Sequence, residues 1–203
     1  NAGILNNVLG RSSNGSGNSD AWTIAFWFKP GTSTNSSQTI FYFGSQDIAN
    51  QGQIQVKYNG QNNIKRLEVK YGTNNNNIIF LTQLNSLTVG EWNHVVITYN
   101  GGTTGSSSGS INTYYSRFGI YLNGVDITNA TIRLNSNYGY SGSIIGQNLR
   151  VGRYNNSQSM RNNCKVDELA IWGSDESNDI ASIYNNGTPR DLMLLGSQPK
   201  HWW

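Results

Sequence analysis

Short runs rich in β-branched and aromatic residues recur along the chain, separated by clusters of Gly, Asn, Ser and Thr. Runs of about four to eight such residues between turn clusters are typical of β-strands. Regularly spaced strands with Gly- and Asn-rich turns predict a sandwich or a jelly roll. We predict strands at 4–9, 21–29, 38–43, 53–58, 65–71, 78–82, 92–99, 117–122, 149–152 and 165–172.

Two Asn-Gly pairs predict hairpins, because Asn-Gly favours a tight turn in which φ is positive. Asn59-Gly60 lies between the strands predicted at 53–58 and 65–71. Asn123-Gly124 repeats the signal in the stretch YLNGVDI.

One segment, 174–187, has the features of a helix. Ser174 or Ser177 is the expected N-cap, and acidic residues follow in the first turn, where they complement the helix dipole. Gly187 is expected to end the helix, and Pro189 prevents its continuation.

Three segments, 12–20, 100–113 and 135–148, have the composition of long loops. The third differs because Tyr138 and Tyr140 stand among small residues. Aromatic residues in such a loop either present a recognition surface or fold back on the body of the domain. Both alternatives stay open at this point.

The chain has 203 residues, a length that suits one all-β domain. Only 12% of the residues are charged, and the net charge is +3. The nearest approach to a basic cluster is formed by Lys57, Lys65, Arg66 and Lys70. We interpret it as a solvated strand face, since no long run of Lys or Arg is present, and expect no nucleic-acid partner.

The single cysteine, Cys164, allows neither an intrachain disulfide nor a thiolate metal cluster. We expect it to be a small buried hydrophobic residue. No apolar run is long enough to span a membrane, so no membrane insertion is expected. Because the chain starts at Asn1 without a signal peptide, we expect a processed product or a piece of a longer protein.

Catalysis of the glycosidase type needs two carboxylates about 5–5.5 Å apart. On one strand face that requires acids two or four residues apart, and no predicted strand has such a pattern; Asp175, Glu176 and Asp179 belong to the start of the predicted helix. Asp167 and Glu168 are adjacent, so we expect their side chains to point to opposite faces. The histidines and the cysteine lack zinc spacing, and nucleophile-elbow and phosphate-binding motifs are absent. We therefore expect that the protein is not an enzyme.

The stretch WNHVVITY (92–99) places a histidine at the start of a predicted strand. Alternation puts Val95 and Ile97 on one face and His94 and Val96 on the other. We interpret His94 as a hydrogen-bonded structural residue rather than a catalyst or a metal ligand.

Five segments resemble those of laminin-G-like and pentraxin-like jelly-roll domains, and they keep the family's order. They are WTIAFWFKP (22–30), GEWNHVVITYNG (90–101), FGIYLNGVDI (118–127), LRVGRYNNSQSMRNNCKVDELAIW (149–172) and IASIYNNGTPRDL (180–192). The resemblance implies a concanavalin A-like fold: an all-β, two-sheet antiparallel jelly-roll sandwich with one short C-terminal helix. We expect the domain to cover 1–195, with 196–203 forming a terminal strand or a linker to a following module.

The resemblance also implies a kind of function. Domains of this type bind glycans, proteins or lipids at one rim, often through calcium, and glycosidase relatives carry a paired-acid motif that is absent here. In the family, the position of His94 is a strand residue of the sandwich and not a catalyst.

Pentraxin-like domains hold calcium with acids and amides from the loop after Val-Gly and from an earlier loop. The corresponding positions here are 153–156 and the region of Asp47 and Asn50. The first loop departs from the family pattern, because it has amides, a tyrosine and Arg153 but no acid. Asp167 is a further metal candidate. The alternative is that its carboxylate accepts a hydrogen bond from the backbone. We expect no required cofactor and calcium as an optional ligand.

A glycan could bind without calcium, because sugar C–H faces stack on aromatic rings and amides bond to hydroxyls. The candidate ligand-binding residues are Tyr138, Tyr140, Arg153, Tyr154, Asn155 and Asn156. Most of the tryptophans are interpreted instead as core or strand-end residues.

Two hypotheses about function follow. The first is a non-catalytic recognition or adhesion module of a larger exterior protein, which binds a glycan or surface protein beside neighbouring modules of its chain. Its location would be extracellular, on a cell surface or on a virion exterior. The second is a structural virion or cell-surface module, a decoration or spacer domain with protein partners. They differ in whether Tyr138, Tyr140 and Tyr154 converge on an open rim or are buried against neighbours. A hydrolase would need two acids facing one cleft.

Overall fold

Two antiparallel sheets of six strands each pack face to face in the computed structural model. The structure describes residues 9, 21–31, 37–44, 52–61, 64–72, 77–101, 115–136, 149–154, 159–161 and 163–203. The fold class expected from the sequence is thereby confirmed.

The strands are short, as the spacing of the turn clusters predicts. Their bounds are β1 Trp22–Lys29, β2 Ser37–Gly44, β3 Gln53–Asn59, β4 Arg66–Gly72, β5 Asn77–Leu81, β6 Asn93–Tyr99, β7 Phe118–Leu122, β8 Val125–Asp126, β9 Ile132–Ser136, β10 Arg150–Val151, β11 Lys165–Trp172 and β12 His201–Trp202. Helix α1 spans Ile180–Tyr184, and 3-10 turns lie at Thr128–Ala130, Asn185–Gly187 and Leu192–Leu194.

Sheet I has the strand order β12-β11-β1-β6-β7-β8, and sheet II has the order β10-β2-β3-β4-β5-β9. Sheet II is therefore mostly a meander of neighbouring hairpins. The centre of sheet I joins strands that are distant in sequence, since β1 pairs with both β6 and β11.

The inner faces of the two sheets form the main core. Ile24, Phe26 and Phe28 of β1 belong to the same buried cluster as Ile54 and Val56 of β3. Each of these side chains contributes about 1.5–3 kcal/mol by leaving water. Alternation along β6 follows the prediction, because Val95 and Ile97 lie in this core and Val96 does not.

The outer face of sheet I is covered by the C-terminal segment. Small side chains at Ala25 and Ala170 leave room for Ile180 and Ile183 of α1, which form a second buried cluster with them. The indole Nε1 of Trp172 in this cluster donates a hydrogen bond to the Ser197 carbonyl at 3.1 Å.

Every predicted strand from 21 onward is confirmed, with ends that differ by no more than one residue. Two strands, β8 and β9, were not predicted, and β12 lies in the segment 196–203, for which a terminal strand was one of the two alternatives expected. The strands β8 and β12 have only two residues each, too few for alternation to be visible, and β9 is an edge strand of mixed polarity. The strand predicted at 4–9 lies outside the described residues except for Leu9, which is buried in a turn.

The two Asn-Gly pairs have different outcomes. Asn123 and Gly124 have φ values of 51° and 77° and join β7 to β8 as the predicted tight turn. The Asn59-Gly60 turn was predicted wrongly, although its hairpin is confirmed: Asn59 pairs with Arg66, so the loop is longer. Asn59 instead accepts a hydrogen bond from the Gln61 backbone N–H through Oδ1 at 3.2 Å.

The predicted helix is shorter than expected. It begins after Asp179, so the N-caps predicted at Ser174 and Ser177 are wrong; the Ser177 N–H donates to Asp175 Oδ1 at 3.0 Å in a preceding turn. The helix ends at its C-cap Asn185, which has the left-handed backbone conformation (φ 48°). This end lies two residues before the predicted end at Gly187.

Two smaller expectations are modified by burial. Cys164 is half-buried rather than buried, and its Sγ accepts a hydrogen bond from the Gly31 N–H at 3.2 Å. The basic strand face is half-buried, and Lys57 pairs with Glu68 at 2.5 Å. Within the described ranges, no helix has the length and apolar character needed to cross a membrane.

Candidate functional site

An open cavity of about 210 Å³ lies on the outer face of sheet I, beside the start of β6. We call it the indole pocket and define it by its lining residues Trp27, Trp92, Asp167, Glu168, Gly187 and Pro189. It combines two indoles, two carboxylates and a proline, a mostly apolar lining with a few polar groups that is typical of small-ligand sites.

Strand pairing brings three of the nearby side chains to one face. Trp27 of β1 is opposite His94 of β6 on one side and Asp167 of β11 on the other. Residues directly opposite each other in a ladder share a face. Trp27 is 8% exposed and forms the wall, whereas Trp92 just before β6 is 39% exposed and offers its ring to solvent.

A β-bulge in β11 adds the second carboxylate. The register between β1 and β11 shifts between Ala25 and Trp27, and Glu168 has a φ of 51°. The expectation that Asp167 and Glu168 point to opposite faces is therefore wrong, because the extra residue interrupts alternation and both line the indole pocket.

Hydrogen bonds hold both carboxylates. Asp167 Oδ1 accepts a hydrogen bond from the backbone N–H of Glu168 at 2.9 Å. This agrees with the alternative to a metal-binding role that the sequence offered for Asp167. Glu168 Oε2 accepts the indole N–H of Trp202 on β12 at 2.5 Å, which ties the edge strand to the pocket.

His94 lies behind the pocket and is 3% exposed. Its ring centre is 4.9 Å from that of Trp27 and 5.6 Å from that of Tyr184. The expected side-chain hydrogen bond is not found at Nδ1, which is buried without a partner among the residues described; the backbone N–H donates to Asn123 Oδ1 at 2.8 Å. Burial lowers the pKa of His94 to about 4, so the imidazole is neutral at pH 7.

A second, smaller cavity adjoins the pocket and shares Trp27 and Glu168 with it. Its volume of about 10 Å³ corresponds to the space for one water molecule. His94 and Arg190 also line it, so polar groups surround this space.

The rim predicted from the sequence lies elsewhere, at the end of β10 in sheet II. Arg153 is exposed and Tyr154 is half-buried. The Tyr154 ring meets the Tyr42 ring edge-on at 4.8 Å, and Arg150 lies over Tyr42 and donates to the Tyr154 carbonyl at 2.6 Å. Tyr138, Tyr140, Asn155 and Asn156 lie outside the described residues.

A larger cleft, of about 400 Å³, lies towards the other end of sheet I. Thr98, Gly119 and Tyr121 contribute to its lining, and a Cβ at Gly119 would stand 2.6 Å from Thr98 Oγ1. Burial raises the pKa of Tyr121, and the carboxylates of Asp126 and Asp175 raise it further. The cleft is polar and has no exposed indole.

The described residues bring few acidic ligands for calcium together. No group of three His, Cys, Asp or Glu side chains that could hold a metal occurs in the described part of the chain. Asp167 and Glu168 are the two acidic residues that line the indole pocket. Asp47 and Asn50, the other metal candidates, lie outside the described residues.

Sequence reasoning missed the two indoles and Glu168. Most of the tryptophans were interpreted as core or strand-end residues, which holds for the buried Trp22 and Trp172; Trp92 does stand at a strand end, but its ring is 39% exposed. The position of Trp92 before a strand and next to polar residues is the signal that could have identified it. Nothing in KVDELAIW marks the bulge at Glu168.

The sequence matches a laminin G family model, described as the concanavalin A-like lectin/glucanases superfamily, over residues 8–179. The chain therefore belongs to this family, and the resemblance noted in the sequence is confirmed. No curated protein matches the sequence significantly.

The solved structures that match this chain are distant in sequence. A heptameric SAP-like pentraxin from Limulus polyphemus has a TM-score of 0.52 and 16% identity, covering 84% of this chain and 75% of that one. The CBM40 of a Ruminococcus gnavus IT-sialidase has a TM-score of 0.51 and 13% identity, covering 88% and 85%. A Trypanosoma rangeli sialidase has a TM-score of 0.47 and 13% identity, covering 81% of this chain but 22% of that one.

Proposed function

We propose that the protein is a non-catalytic glycan-binding module of a larger exterior protein, and that the indole pocket holds one sugar ring. The observation that carries this proposal is the open cavity between the exposed ring of Trp92 and the wall formed by Trp27. Membership of a lectin-like family supports it. An extracellular, cell-surface or virion-exterior location is part of the proposal.

The chemistry of the pocket suits a sugar. The C–H face of a pyranose packs on an aromatic ring, and carboxylates accept hydrogen bonds from its hydroxyls. Trp92 supplies the accessible ring, and Asp167 and Glu168 supply the acceptors. The volume of about 210 Å³ is below the roughly 300–1,000 Å³ of sites for drug-sized ligands, so a single ring is the appropriate size.

The expected affinity is low. A hexose has about twelve non-hydrogen atoms, and at roughly 0.3 kcal/mol per atom it binds with about 4 kcal/mol, a dissociation constant of about 1 mM. Useful avidity then comes from repeated modules or from an extended glycan that also touches the Tyr154 rim. That rim remains a proposed second contact.

A hydrolase is the alternative that the two carboxylates of the pocket raise. We do not propose it, because one oxygen of each carboxylate is held by a structural partner, which leaves the other oxygen to accept a hydrogen bond from a bound sugar. Glu168 accepts the Trp202 indole N–H, and Asp167 accepts the backbone N–H of Glu168. Release of reducing sugar from a bound glycan would contradict a non-catalytic role.

The test is a titration of the domain with neutral and charged oligosaccharides, including α2,3-sialyllactose, the ligand in one structure of the Ruminococcus gnavus module. Trp92→Ala should weaken binding at least about tenfold, a loss of about 1.4 kcal/mol. Trp203→Ala is the matched control, because Trp203 is 57% exposed and lies outside the pocket. Tyr154→Ala measures the contribution of the rim.

Each titration is run with calcium and again with EDTA. Equal binding in both supports a calcium-independent site, and loss in EDTA assigns a role to calcium. If Trp92→Ala and Trp203→Ala bind alike, the indole pocket is not the site.

A structural module with protein partners is the second candidate. The observation that favours it is the exposure of apolar side chains on three edge strands: Val125 on β8, Ile132 and Leu134 on β9, and Val151 on β10. Apolar edges of this kind are sites of protein contact. Absence of glycan binding, together with concentration-dependent association that Leu134→Lys removes, would favour this candidate.

A further inference from the structure

We propose that the indole pocket selects sugar units that carry a free, protonated amine, such as glucosamine residues, over their N-acetylated and acidic counterparts. This inference rests on the proposed function and adds the chemical class of the ligand. The reason is the charge of the pocket together with the faces of its two indoles.

The lining of the pocket is acidic. Asp167 and Glu168 are its two charged residues, and no Lys or Arg lines it. The hydrogen bond to the Glu168 N–H engages only Oδ1 of Asp167, and Asp167 is exposed. A protonated amine that enters the pocket therefore meets carboxylate oxygen without displacing a cationic side chain.

The indoles favour the same ligand. A cation over the face of a tryptophan is attracted by the ring quadrupole, and tryptophan is the best aromatic partner. Trp92 is exposed and Trp27 forms the wall, so an amine near Asp167 lies within a pocket bounded by two indoles. An N-acetyl group has no charge to use either interaction.

The small adjoining cavity supplies a separate sign of a polar site. His94 is almost fully buried, lines this cavity, and its Nδ1 has no hydrogen-bond partner among the residues described. Since burial keeps the pKa of His94 near 4, the imidazole contributes no positive charge above pH 6. It can accept or donate one hydrogen bond to a hydroxyl or a water that enters beside the sugar.

Three cationic residues lie around the pocket, and their positive charge reduces its preference for a protonated amine. Lys29 and Lys165 are opposite each other, one step along the same face from Trp27 and Asp167. Arg190 lines the adjoining cavity and donates to the Ser182 carbonyl at 3.3 Å. Side chains in solvent are screened over about 10 Å at 0.1 M salt, whereas the two carboxylates line the pocket itself.

The experiment compares three oligosaccharides of equal length at pH 6: a β-1,4-glucosamine tetramer, its fully N-acetylated form and a uronic acid tetramer. The glucosamine tetramer should bind at least about tenfold tighter than the N-acetylated form, and the uronic acid tetramer should bind weakest. Raising the salt concentration should reduce the preference.

Asp167→Asn should lower the preference for the amine to less than about threefold, because it weakens binding of the glucosamine tetramer more than binding of the N-acetylated tetramer. Glu68→Gln is the matched control, because it removes the same charge on sheet II, away from the pocket, and should leave the preference intact. A direct variant of Glu168 is avoided, since it would also release Trp202.

Equal binding of the amine and N-acetyl forms, with Trp92→Ala weakening both, would overturn this inference and leave the proposed function standing. Tightest binding of the uronic acid tetramer would overturn it as well and point to Lys29 and Lys165. If no tetramer binds at millimolar concentration although another oligosaccharide does, this inference alone fails; if no oligosaccharide binds, the proposed function itself fails.

Discussion

At the scale of the residue, His94 shows how burial decides a role. Its position at the start of β6 admitted a catalyst, a metal ligand or a structural residue. It packs between Trp27 and Tyr184, which excludes solvent from the ring. A neutral imidazole behind an indole sets the position of the pocket wall, so His94 is a positioning residue.

The depressed pKa of His94 makes stability depend on pH. Since the folded pKa of about 4 lies below the ordinary 6.5, the unfolded state binds more protons between these values. The stabilising contribution is fully present above pH 6.5 and is lost as pH falls towards 4, by about 2–3 kcal/mol. Urea denaturation at pH 7 and at pH 4.5 measures this loss.

His94→Gln should flatten the dependence on pH, because it removes the group whose pKa is shifted. His201→Gln, which changes the chain's other histidine, should retain the slope of the native protein. A slope in His94→Gln equal to that of the native protein would refute this assignment.

At the scale of the element, the β7–β8 hairpin supports the pocket from behind. Gly124 has a φ of 77°, and a Cβ there would lie 2.4 Å from Cδ1 of Tyr184. Tyr184 in turn contacts both His94 and Trp27. The turn therefore fixes the C-terminal end of α1 against the wall of the pocket.

Gly124→Ala should destabilise the protein by about 2 kcal/mol, from the left-handed backbone and from displacement of Tyr184. It should also weaken glycan binding, since Tyr184 packs on Trp27. Gly196→Ala, where a Cβ meets open space, should change the free energy of unfolding by less than about 0.5 kcal/mol. Chemical denaturation of the two variants provides the comparison, and similar values would remove the role given to Tyr184.

The elements were predicted better than the site. Alternation and turn residues are local signals, so they located β1 to β7, β10 and β11. The pocket depends on the register of β1 against β11 and on a bulge at Glu168, which are properties of strands far apart in sequence. The Asn59-Gly60 turn failed for a related reason, because pairing of Asn59 with Arg66 overrides the local preference.

At the scale of the whole molecule, the last residues of the chain complete the sheet that carries the pocket. β12 pairs with β11, and Trp202 packs against the outer cluster while its indole N–H reaches Glu168. The resemblance to laminin-G-like domains indicated the jelly roll but not this connection, because KHWW carries no family motif.

Trp202→Phe keeps an aromatic ring but removes the donor to Glu168. It should destabilise the protein by about 1–2 kcal/mol, the range for a partly exposed hydrogen bond to a charged group. Trp203→Phe should cost less than about 0.5 kcal/mol, since Trp203 is mostly exposed and stacks on His201. Equal midpoints in urea for the two variants would show that the Trp202–Glu168 bond contributes nothing.

The central position of β1 has a consequence for how the protein is made. Its partners β6 and β11 are translated later, so during synthesis β1 lacks a neighbour on one side until β6 is made and on the other side until β11 leaves the ribosome. Sheets built from such distant pairs fold slowly, on the order of milliseconds to seconds, and exposed strands aggregate in the meantime. The consecutive hairpins β2 to β5 of sheet II are complete before β6 and β11 are translated, so they are available as a template on which these later strands can pack.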